Sequence, residues 1–270
     1  MRGRIVVSLL LGTLASWAVV VSRMRGMDEG PGTNLGGLAS FLGLWLTMMA
    51  AMMLLPVAPM VLTFARVQGQ RSGRGRTDTV PTAVFVAGYF AVWTAYGLLA
   101  YGLFLVASEL GSSFLDWDGN GRYLAGAAIG AAGLYQLTPV KDVCLRHCRS
   151  PVHFLAHGWR EGRSGAFRLG VIHGSYCVGC CFGLFVILFA VGVMSLFWMA
   201  VIAGVIFVEK VLPFGERASR AFAVAFLVLG LLVALDPTAV PGLTEPGSMS
   251  SDVTDGGRTS SAALRLIRFG

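Results

Sequence analysis

Charge is scarce in this sequence. Asp, Glu, Lys and Arg make up 13% of its 270 residues, while 55% are hydrophobic. Soluble domains carry about 25% charged residues. A soluble fold of this length would need more polar surface to cover its core, so the apolar excess must face lipid. Acidic residues are the scarcer sign, 14 against 21 basic. The resulting charge of +7 comes with no basic stripe interleaved with aromatics, which argues against nucleic acid as a partner. Long internal repeats, phosphate-binding glycine loops and serine-based catalytic arrangements are also missing. Cysteine is absent outside positions 144–181, where all five fall: Cys144, Cys148, Cys177, Cys180 and Cys181. An odd count cannot pair completely within one chain. Such clustering points to one site rather than a scattered disulfide framework.

What the sequence does have is long apolar runs. They predict an all-α, polytopic transmembrane helical bundle with six to seven spans. Residues 1–35 read as a signal anchor and an outside loop, 36–235 as the transmembrane domain, and 236–270 as a disordered tail. The first run, 5–22, follows Arg2 and Arg4 and has no small-x-small cleavage site, so it is expected to be retained. The next runs are 36–65, 80–108 and 123–140, the last with Gly126 and Gly130 in a small-xxx-small pattern that allows close helix approach. The stretch 169–208 would be about 60 Å long as one helix, against a hydrocarbon core of about 30 Å. It must fold back, and 192–195 is the expected place. The last run, 218–235, stops at Asp236 and Pro237.

Charge also gives a direction. If seven spans alternate, 15 of the 21 basic residues fall on one side, among them Arg66, Arg71, Lys141, Arg149 and Lys210. The opposite loops hold Asp28, Glu29, Glu109, Asp116 and Asp118. The expected placement is a bacterial-type inner or plasma membrane with the N-terminus in the cytoplasm.

Chemistry concentrates in two segments on that cytoplasmic side. In a helix, Cys144 and Cys148 share a face. So do His173 and Cys177, with Cys180 or Cys181 one turn further on. These segments end consecutive spans joined by one loop, so they can meet. Thiolate and imidazole suit copper(I), zinc or an iron–sulfur cluster, and thiols in a reducing cytosol more often bind metal or do redox chemistry than form disulfides. The expected metal ligands are therefore Cys144, Cys148, His173, Cys177, Cys180 and Cys181, with copper favoured over zinc. His147, His153 and His157 read as loop residues. Met48, Met49, Met52 and Met53 form a second patch, either thioether ligands or core packing. Gln136, Glu209 and Lys210 are polar candidates, Glu209 and Lys210 being read as snorkelling anchors at a span end.

The residues also resemble a known family. Trp45 with Met48–Met49 and Met52–Met53, the run from Tyr135 through Lys141 to Cys144 and Cys148, the segment Tyr176–Cys181, and Glu209–Lys210 are similar to the domain of unknown function 2182 family. That group is described as predicted metal-binding integral membrane proteins. The resemblance spans roughly residues 40 to 215, with Phe182 where the family is expected to have tryptophan. It implies a polytopic membrane protein with a metal site and no established reaction. The expectation is a non-enzymatic, soft-metal-binding membrane protein acting in trafficking or delivery. Its partners would be the lipid bilayer, other membrane subunits or a metal-handling protein. The rivals are a thiol redox protein exchanging Cys177 and Cys180, and an accessory subunit using the small-residue face 126–133.

Overall fold

The computed structural model describes residues 2–25, 37–71, 79–109, 121–191 and 195–236. The expected tail, the outside loop at 26–36 and the basic loop at 72–78 lie outside the described residues. Among the described residues there are nine helices and no strand. They are α1 (Arg2–Met24), α2 (Leu38–Arg71), α3 (Thr79–Glu109), α4 (Arg122–Tyr135), α5 (Pro139–Arg149), α6 (Pro151–Gly158), α7 (Gly162–Val191), α8 (Leu196–Val211) and α9 (Gly215–Leu235).

Five of these helices, α1, α2, α3, α7 and α9, are long and apolar enough to cross a membrane. The expected fourth and sixth spans form helices of 14 and 16 residues, short of the roughly 20 that a bilayer core needs. The fourth run also breaks where one continuous span was expected. Its helix stops at Tyr135, and the chain turns through Gln136, Leu137 and Thr138. Pro139 explains the break: it lacks the N–H that would continue the ladder, and it pushes Thr138 into an extended conformation. Thr138 then caps α5 by accepting from the Lys141 amide at 3.4 Å. Of the fold-back expected at 192–195, residues 192–194 lie outside the described residues; α7 ends at Val191, and Ser195 caps α8. Helix α9 ends at Leu235, before Asp236 and Pro237.

Small residues set the two closest helix pairs. Between α3 and α7, a Cβ on Gly88 would strike the Phe167 carbonyl, and one on Gly170 the Phe85 carbonyl. Between α4 and α9, a Cβ on Gly126 would lie 2.6 Å from the Gly230 oxygen, and the reverse distance is 2.7 Å. The small-residue face of α4 is thus filled by α9 of the same chain.

Helix α7 sits at the centre, packed on α3, α4, α5 and α8. Helix α2 lies against α1, α3, α6 and α8. Trp45 anchors it, donating from Nε1 to the Trp93 carbonyl at 2.9 Å and stacking on Phe189. At the other end of α2, Phe64 stacks on Phe85 and meets Trp159, and Arg71 lies over the Trp159 ring. The start of α3, the start of α7 and helix α6 therefore share one end of the bundle with Arg71.

Candidate metal centre

Helix α5 lies on α7 and α8, with Lys141 and Leu145 buried and Cys144 and Cys148 half-buried. Helix α7 presents His173, Cys177, Cys180 and Cys181, all buried. Helical spacing puts Cys177 and Cys181 one turn apart, with Cys180 between them. All five cysteines are free thiols.

The sulfurs of Cys148, Cys177 and Cys180 lie within 4.8 Å of one another. Cys148 Sγ and Cys180 Sγ are 3.7 Å apart across the two helices. Sulfurs each about 2.3 Å from one ion in a plane would stand about 4 Å apart. The three thiols therefore fit a single soft metal ion with little rearrangement. Cys181 borders the group, its Sγ 3.8 Å from that of Cys180. Cys144 faces the backbone of α7 instead: a side chain on Gly179 would come within 2.7 Å of its sulfur. Partial burial raises the Cys144 thiol pKa above its ordinary value.

His173 sits one turn before Cys177 in an aromatic setting. Its ring stacks on Tyr89 and Phe85 and meets the edge of Phe154. Its Nδ1 has no hydrogen-bond partner among the described residues. The loop reading of the other histidines is corrected by Pro139 and Pro151, which each start a helix that encloses them. His147 lies on α5, stacked on Tyr176 at 4.2 Å and donating from Nδ1 to the Val143 carbonyl. His153 lies exposed on α6. His157 is also on α6, its side chain outside the described residues.

Met48, Met49, Met52 and Met53 are all buried in α2. They fill the interior that α2 forms with its neighbours, while the thiol group is built from α5 and α7.

Lys210 does not snorkel. Its Nζ donates to Cys177 Sγ at 2.7 Å. Glu209 is buried, its carboxylate 2.8 Å from Lys141 Nζ, while Lys210 is half-buried. The snorkelling expectation fails because both side chains find partners inside the bundle. The end of α8 turns them against α5 and α7. Gln136, from the turn before α5, donates to Glu209 at 3.3 Å and accepts from Lys141. Tyr89, which was not among the expected site residues, has its hydroxyl hydrogen-bonded to Cys177 Sγ at 3.0 Å. Its signal was its helical register with Phe85 and Trp93, which puts it on the buried face of α3.

Cys177 thus has an ammonium and a phenol beside it in an otherwise apolar interior. Both groups can donate a hydrogen bond to its sulfur, and it is the deprotonated thiol that binds metal. No curated protein and no solved structure matches this chain. A family match does: residues 42–233, from α2 into α9, match PpoB2, described as a copper chaperone family. The expected family name differs, but the expectation of a metal-related membrane family stands. The matched stretch covers well over half of the sequence and contains every residue of the thiol group, so the chain belongs to the PpoB2 copper chaperone family.

Proposed function

We propose that this protein holds copper(I) as cargo at Cys148, Cys177 and Cys180, and passes it to an acceptor from the cytoplasmic face of the membrane. The observation that carries the reading is the approach of those three sulfurs to within 4.8 Å of one another. Three thiolates suit copper(I), which is content with few soft ligands, whereas zinc prefers four in a tetrahedron. Cys181 could supply a fourth, which keeps zinc as the second metal. Three thiolates around a monovalent ion leave net negative charge in a low-dielectric site. The Lys210 ammonium, 2.7 Å from Cys177, offsets part of it. Cys148 is the most accessible of the three ligands and sits on a short helix, which makes it the natural point of exchange. The positive-inside rule supports a cytoplasmic location, and the reducing cytosol would keep the thiols free.

The test is metal content of the detergent-purified full chain after loading with copper or zinc. About one copper per chain is expected in the wild type and none in Cys177→Ser with Cys180→Ser. A wild type that stays metal-free would sink the reading. The 3.7 Å approach of Cys148 and Cys180 favours a second reading as a thiol redox protein, because a modest shift would bring them to the roughly 2.05 Å of a disulfide. Reversible oxidation of that pair by a physiological disulfide, with no copper uptake, would support it instead.

A further inference from the structure

The copper reading leaves Lys141, Glu209, Gln136 and Arg149 without a role, yet they are linked in one network of hydrogen bonds. Lys141 and Glu209 are almost completely buried, at 0% and 2% exposed. Both carboxylate oxygens of Glu209 lie 2.8 Å from Lys141 Nζ. The backbone carbonyl of the same Glu209 accepts from Arg149, which also donates to the Pro213 carbonyl at 3.1 Å. Arg149 thereby satisfies carbonyls left open where α8 ends. Room for it is kept by Gly215, where a Cβ would strike both the Arg149 guanidinium and the Glu209 carbonyl.

Helix α5 is therefore tied to one turn of α8 at both ends. Its two anchors, Lys141 and Arg149, are about 12 Å apart along the helix. One anchor would permit rotation; two fix both rotation and sliding. Cys148 is the residue next to Arg149. The residue next to Glu209 is Lys210, which holds Cys177. A buried ion pair is a poor source of stability compared with apolar packing, and its best-attested use is to fix register.

We infer that Lys141, Glu209 and Arg149 are positioning residues: they hold α5 so that the Cys148 sulfur stands beside Cys177 and Cys180. This inference rests on the proposed copper site. It makes the last turn of α8 a common platform for ligands from α5 and α7.

The experiment uses the detergent-purified full chain loaded with copper(I). Sulfur coordination is read by X-ray absorption and affinity by competition with a chelator. Lys141→Met alone leaves Glu209 buried without its cation and is expected to fold poorly. Lys141→Met with Glu209→Leu removes both charges and is expected to keep the helical circular dichroism of the wild type. In that double variant, coordination should fall from three sulfurs to two, and affinity by about 10- to 100-fold. Lys141→Arg should retain three. Should the double variant not fold, Arg149→Gln carries the same readouts. Three-sulfur coordination with unchanged affinity in a folded double variant or in Arg149→Gln would overturn the inference.

A metal-free assay separates this from failure of the copper reading. Diamide takes the two thiol hydrogens and is itself reduced to the hydrazine, joining Cys148 to Cys180. The cross-link should form readily in the wild type and be lost in the double variant. Equal cross-linking in both would also overturn the inference, whatever the metal does.

Discussion

Helices α1 and α7 are equally apolar, yet over their most apolar 18 residues 11% of α1 is buried and 56% of α7. Helix α1 packs on α2 and turns Val7, Leu10, Leu11 and Leu14 outward. Helix α7 is surrounded by four helices and carries His173, Cys177, Cys180 and Cys181 into the interior. Equal hydrophobicity therefore conceals opposite tasks. One helix meets lipid, where any apolar side chain serves. The other meets protein, where each side chain must fit a particular neighbour. In a membrane the chain gains little from moving an apolar side chain from lipid to protein, so packing and polar contacts decide the interior. Two of the three clustered thiols, Cys177 and Cys180, lie on that second helix.

Substitutions on the two helices should separate accordingly. The largest effect is expected from the pair Cys177→Ser and Cys180→Ser on α7, which should abolish copper retention as measured by metal analysis. Leu188→Ala, at a site with no exposure, should destabilise the protein by about 2–5 kcal/mol through the cavity it leaves. Thermal unfolding in detergent would read this, and a change within error would mean that the interior of α7 is not close-packed. Gly170→Ala should cost about 1–3 kcal/mol, because the added methyl meets the Phe85 carbonyl. An unaltered unfolding temperature would show that α3 and α7 can separate slightly without loss. The smallest effect is expected from Leu14→Ala on α1, 65% exposed, within about 0.5 kcal/mol of wild type. A loss as large as that of Leu188→Ala would erase the contrast and place an unseen partner on α1.

The site was legible in parts. Clustering of five cysteines within 38 positions marked the region, and spacing on α7 gave the stripe from His173 to Cys181. Spacing alone treated Cys144 and Cys148 as equals, since both lie on the inner face of α5. The structure separates them: Cys148 meets Cys180, while Cys144 faces Gly179. That distinction depends on how α5 is rotated against α7, which no local pattern encodes. Glu209 and Lys210 were placed at the end of an apolar run, where charged side chains ordinarily reach for water. Their actual partners, Lys141 and Cys177, are 68 and 33 positions away.

The sequence by itself determined the solvent and the class of fold. A chain so poor in charge and so rich in long apolar runs has to be helical in lipid, because the backbone must satisfy its own hydrogen bonds there. It also located the thiols. Only the tertiary structure decided which apolar runs are long enough to span alone, and which sulfurs meet. It also decided that two buried charges are anchored to each other rather than to water. These outcomes depend on helix ends and helix rotation, set by Pro139, by glycine seams and by the Lys141–Glu209 pair. Such contacts join residues far apart in the chain, so their energies exist only once the bundle is assembled.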